Sequence, residues 1–132
     1  MSSARFLSRV NIVGLGTGFI LVSALSLLRQ HANPDVADIP ALAVAATILV
    51  FLVPSAVMGM IAKHDSVVHG VVLGLLAASF AVLQANRFSS IDWSSMLVYK
   101  ALGIFAAIAI PVCIVGAFLG ENILRRWRVT AN

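Results

Sequence analysis

The alternation of apolar and polar positions divides the chain into four long apolar stretches separated by short polar breaks. No Asp, Glu, Lys or Arg occurs in residues 10–28, 39–62, 66–86 or 101–120, windows of 19, 24, 21 and 20 residues. The hydrocarbon core of a bilayer takes roughly 20 apolar residues of helix, and each window meets that. The pattern predicts an all-α integral membrane protein. It forms one domain over residues 1–132, a four-transmembrane-helix up-down bundle with helices near 10–29, 40–62, 66–86 and 96–124. Local signals set the bounds. Asn33-Pro34-Asp35 is a turn signal, and Pro40 suits a first helical turn, where its missing N–H costs nothing. Asp92 or Ser94 is placed to cap the fourth helix. The Lys63-His64-Asp65 junction is so short that helices two and three are expected as antiparallel neighbours. The first window is longer than the ~7–15 residues of a signal-peptide core and lacks a following A-x-A site, so it reads as a retained helix.

Composition narrows the class. The chain is 61% hydrophobic and 11% charged, where a soluble domain is about 25% charged. This excludes a soluble enzyme, a disordered chain and a disulfide scaffold; the single cysteine, Cys113, falls inside the fourth window. The net charge of +4 does not imply nucleic acid, because the nine basic residues are scattered at helix ends as topology signals. Four spans put both termini on one side, with Arg5, Arg9, Lys63, Arg125, Arg126 and Arg128. Arg29, Arg87 and Lys100 lie on the other. The positive-inside rule then expects both termini in the cytoplasm, the setting being a bacterial cytoplasmic (inner) membrane. Trp93, Tyr99 and Trp127 suit an aromatic belt at the interfaces.

Small residues carry the next signal. Gly14-x-x-x-Gly18, Gly70-x-x-x-Gly74 and Gly116-x-x-x-Gly120 each set two glycines on one helix face. Lipid gives helices no hydrophobic reason to associate, so close backbone contact through small residues must do it. Those faces serve either packing within the bundle or association with another chain, and three of them exceed the need of one dimer interface. Helix two is the first candidate to approach the Gly70, Gly74 and Ala78 stripe. Pro54 and Pro111 lie mid-helix, where each removes a backbone hydrogen bond and favours a kink. Glycines recur at a shift of 56 between helices one and three, and Pro54 with Gly59 recurs as Pro111 with Gly116 at about the same shift. The pattern reads as a tandem two-helix repeat or as coincidence among common residues. A repeat of two-span units would imply a pseudo-two-fold axis along the membrane normal.

Chemistry is sparse. Ionisable groups within spans are functional suspects, and here that leaves His69, a candidate proton or polar site near the start of helix three. At so shallow a depth a histidine more often just meets headgroups or water. A haem would need two histidines facing at similar depth, whereas His31 falls on the opposite side and His64 in the junction. No base adjoins Ser55 or Ser79 to activate a nucleophile, and a four-span exchanger would want a carboxylate in helix one, which has none. No catalytic residue, metal site or cofactor is therefore expected.

Gly59-Met60-Ile61-Ala62 followed by His69-Gly70 and Gly74 resembles the helix-two to helix-three turn of a family of small uncharacterised bacterial four-span membrane proteins. That family has a Gly-rich helix-two end, a basic junction and an H-G-x-x-x-G start to helix three. This chain has Gly59-Met60 where the family has paired glycines. The resemblance covers about a dozen residues and implies architecture without an activity. The expected function is a non-catalytic small membrane protein, an accessory subunit or self-associating scaffold, with the lipid bilayer and a homo-oligomer or larger membrane complex as partners. The alternative is a small oligomeric transporter or channel. That alternative requires Thr17, Thr47, Ser55, Ser79 and Gln84 on one continuous wet face, whereas a scaffold scatters them.

Overall fold

The computed structural model describes residues 10–31, 40–85 and 94–131. Four helices make up nearly all of this: α1 Ile12–His31, α2 Pro40–Ala62, α3 Ser66–Ala85 and α4 Met96–Thr130. All four are long and apolar enough to cross a membrane, so the chain is a multi-pass, all-α membrane protein. Its exterior carries many exposed large apolar side chains, among them Ile20, Leu75, Ile104, Ile108 and Phe118. Such a surface has lipid as its solvent.

The helix ends follow from local chemistry. Asn11 caps α1, its side-chain Oδ1 accepting from the Gly14 N–H at 3.0 Å. Ser95 caps α4, its hydroxyl oxygen accepting from the Leu97 N–H at 3.3 Å. The cap is thus neither Ser94 nor Asp92, and Asp92 lies outside the described residues. Lys63 ends α2 in the left-handed region (φ 67°), where its N–H donates to the Gly59 carbonyl at 3.1 Å. Asp65 is also left-handed (φ 55°), so two consecutive reversals fit into a three-residue connection. Both α2 and α4 run on as helix through Pro54 and Pro111.

The fourth helix is longer than its apolar window suggests. It continues to Thr130, beyond the expected end near 124, and places Arg125, Arg126, Trp127 and Arg128 on the helix. Its 35 residues span about 52 Å at the helical rise, against a hydrocarbon core of about 30 Å. The last turns therefore project from the bundle, and residues 125–131 are all exposed.

Around the bundle the order is α1, α2, α4, α3. Helix α4 packs on both α2 and α3, α1 packs on the same pair, and α1 and α4 do not meet among the described residues. Helices α2 and α3, joined by the tight junction, touch the least of the contacting pairs. The expectation that the short junction makes them close neighbours is corrected: they lie across a diagonal. The reason is where backbones can approach, since the glycines of both helices face α4. A two-fold axis along the membrane normal would set α1 across from α3, whereas these two are adjacent. The two hairpins instead lie side by side in the same sense. The core between them is Val22, Phe51, Met58, Leu73, Ala77, Ala109, Cys113 and Ala117, with Phe19 and Phe80 meeting edge to face at 6.0 Å.

Candidate functional site

The two ends of the bundle differ in how their polar groups are used. At the end holding the 63–65 junction, His69 is completely buried. Its Nε2 accepts the backbone N–H of Asn11 at 2.8 Å, and its Nδ1 lies 3.0 Å from the Asp65 carbonyl. An Nε2 that accepts carries no proton, so in this arrangement Nδ1–H is the donor to the Asp65 carbonyl. Asn11 adds a contact from its Nδ2 to the Ile61 carbonyl at 3.5 Å. The start of α1, the end of α2 and the first turn of α3 are thereby tied together. The reading of His69 as a group solvated at the interface is corrected. Its position in the first turn of α3 is shallow along the chain, but α1 closes over it.

The glycines sit in the same half of the bundle. A Cβ built on Gly70 would stand 2.6 Å from the Ile114 Cα, and one on Gly74 2.7 Å from the Ile110 Cα, both on α4. The partner of this face is α4, and the expectation of α2 there is corrected. A Cβ on Gly116 would collide with the Ser55 hydroxyl and stand 2.7 Å from the Leu52 carbonyl oxygen; one on Gly120 would collide with the Ala56 carbonyl. Gly59, on α2, meets the Ala117 backbone in the same way. Gly14 and Gly18 are looser, with nearest atoms on α2 and α3 at 3.4 and 3.1 Å. Pro54 is buried beside this contact, whereas Pro111 is exposed.

At the opposite end the helices separate around an open cavity of about 380 Å³. Every helix contributes to it: Ser26 and Arg29 from α1, Thr47 and Phe51 from α2, Gln84 from α3 and Phe105 from α4. The Arg29 guanidinium donates to the Thr47 hydroxyl. The Gln84 amide nitrogen and, one turn before Ser26, the Ser23 hydroxyl are buried without a hydrogen-bond partner. None of these groups stood out beforehand as a set. The available signal was that Ser26, Arg29, Thr47 and Gln84 all fall near the same end of their respective helices.

The remaining polar side chains turn inward on their own helices. Thr17 donates to the Val13 carbonyl, Ser79 to Leu75, and Ser55 to Phe51 and Leu52. Such bonds satisfy a hydroxyl in lipid and leave it without a base. Near the junction end Glu121 is mostly buried and pairs with Arg125 one turn on. Cys113 lies in the apolar core. No group of three or more His, Cys, Asp or Glu side chains is placed to hold a metal among the described residues. No family model matches the chain, and neither the curated proteins nor the solved structures contain a significant match.

Proposed function

We propose that this chain is a non-catalytic accessory subunit of a larger membrane assembly in the bacterial cytoplasmic membrane, with both termini cytoplasmic. The observation that carries the reading is the scatter of its span hydroxyls and amides. Thr17 and Ser79 are bonded to their own helices, Ser55 is buried in the α2–α4 contact, and only Thr47 and Gln84 share a cavity. A pore would want these groups in one file. The tightest glycine faces are engaged inside the bundle, which argues against self-association through them. That leaves the apolar exterior and the projecting end of α4 to meet a partner.

Purification of the full chain from native membranes in mild detergent tests this. The expected result is one or a few membrane proteins recovered in fixed ratio with it. Solute flux through vesicles containing the purified chain alone would overturn the reading in favour of the transporter or channel. Reporter fusions at residue 132 and in the 63–65 junction test the orientation, since six of the nine basic residues are assigned to that side. An extracytoplasmic reading at residue 132 would reverse it.

A further inference from the structure

The cavity at the end opposite the junction has a donor-rich lining that the accessory-subunit reading does not use. Arg29 offers a guanidinium, which only donates. Ser26 and Thr47 offer hydroxyls, and Gln84 offers an amide whose nitrogen is buried without a partner. A half-turn about the last side-chain torsion exchanges the two ends of that amide, so it can present N–H groups to a ligand. Among the described residues no carboxylate lines the cavity. Its walls are apolar and aromatic, with Phe51 on α2 and Phe105 on α4. A buried amide nitrogen with no partner is costly in a folded protein, whereas the Thr17, Ser55 and Ser79 hydroxyls bond carbonyls of their own helices. Arg29 ends the apolar window of α1, which puts the cation at headgroup depth and the aromatic walls at chain depth.

We propose that this cavity binds a phosphate-bearing anion, with Arg29 and Gln84 as its principal donors. The source the depth favours is the headgroup of an anionic phospholipid, its chains leaving along the apolar walls. A free phosphate satisfies the same donors without using those walls. The site is independent of whether the chain also has a protein partner.

The test uses the full chain in maltoside detergent, with unfolding followed by circular dichroism. Dioctanoyl phosphatidylglycerol should raise the melting temperature saturably, as a ligand of the folded state does. Dioctanoylglycerol, with the same chains and no phosphate, should leave it unchanged. Gln84→Leu should fold and melt at or above the parent without lipid, yet require about tenfold or more phosphatidylglycerol for the same response. Arg29→Gln should show at least as large a loss, with Arg29→Lys recovering part of it. Ser79→Ala, outside the cavity, should respond like the parent. A matching shift with inorganic phosphate alone would support the anion site and assign its source to a soluble ion. Equal responses to the phospholipid and the diacylglycerol would overturn the proposal. So would an undiminished response in Gln84→Leu, the variant expected to fold in any case.

Discussion

The two ends of this bundle are made from the same kinds of residue and end in opposite states. At the junction end the buried His69 and Asn11 are both paired, and backbones come close enough that a Cβ on Gly70 or Gly74 would overlap α4. At the far end the helices part around a cavity, and the Gln84 amide nitrogen and Ser23 hydroxyl have no partner. Glycine placement accounts for the difference. Gly14, Gly18, Gly59, Gly70, Gly74, Gly116 and Gly120 all lie in the junction half with a neighbouring helix within 4 Å; Gly16, in the same half, faces open space, as does Gly103 in the far half. Where backbones approach closely, polar groups can reach across to a neighbouring helix. Where larger side chains hold the helices apart, the Gln84 amide nitrogen finds nothing to bond. The hydrocarbon chains of lipid cannot replace the missing partner. Among the described residues the far end therefore leaves buried polar atoms unpaired, whereas the junction end pairs its buried histidine.

The most disruptive way to probe this contrast is to wedge the tight half open. Gly74→Leu would drive a branched side chain against the Ile110 backbone, whose Cα lies only 2.7 Å from the added Cβ. Backbone cannot move aside as a flexible side chain can, so the loss should sit at the upper end of overpacking costs, about 3 kcal/mol. Gly103→Leu adds the same atoms where nothing is within 4 Å and should change stability by less than about 0.5 kcal/mol. Detergent melts of the two variants and the parent decide it. If Gly74→Leu melts with the parent, the glycine half is not the rigid one.

The next effect concerns the tie at the junction. His69→Ala strands the Asn11 N–H and the Asp65 carbonyl, and it leaves a hole beneath α1. A stranded buried donor together with lost packing should cost about 2–3 kcal/mol. Asn11→Ala removes the α1 cap but keeps the imidazole, and should cost about 1 kcal/mol. Denaturation in detergent measures both. A histidine that can be removed without loss would have to be solvated, and the two ends would then be alike.

Much of this fold is readable in the residues themselves, and the limits are informative. The charge-free windows locate four spans because charge in hydrocarbon is expensive at any rotation of a helix. Depth is therefore encoded along the chain. Azimuth is not. The Gly70, Gly74 and Ala78 stripe announces a close neighbour, yet nothing in it says α4 rather than α2. The short 63–65 connection points to the wrong partner because it fixes proximity at one point only, and glycine contacts decide the rest. His69 misleads for the same reason. Its position gives depth, but burial depends on α1 lying across it. The far cavity is harder still, since Arg29, Thr47 and Gln84 are separated in sequence and converge only once the helix order is known.

A third change sharpens the comparison through its sign. Gln84→Leu, like His69→Ala, deletes a polar side chain near one end of the bundle. Here the amide nitrogen has no partner to lose, so replacing it with an apolar group of similar size removes a desolvation cost. Without added lipid the variant should gain about 1–2 kcal/mol. Side-by-side unfolding of the two variants is the measurement. Losses of the same sign and size would mean that Gln84 is satisfied in solution, and that the contrast between the ends is not energetic.

The smallest effect lies in the connection that closes the tight end. Lys63 adopts φ 67° and Asp65 φ 55°, and a left-handed conformation costs a side-chain-bearing residue about 1–2 kcal/mol. Aspartate is better suited to it than lysine, because its short polar side chain can bond locally. Lys63 thus carries more of the strain. Lys63→Gly removes that penalty but frees the unfolded chain as well, leaving a net gain of about 0.5–1 kcal/mol. It also deletes a positive charge, so Lys63→Ala is the necessary companion: it loses the same charge and keeps the Cβ. A gain with glycine and none with alanine places the cost in the backbone. Equal gains would locate it in the charge, and the left-handed turn would then be no burden on the junction.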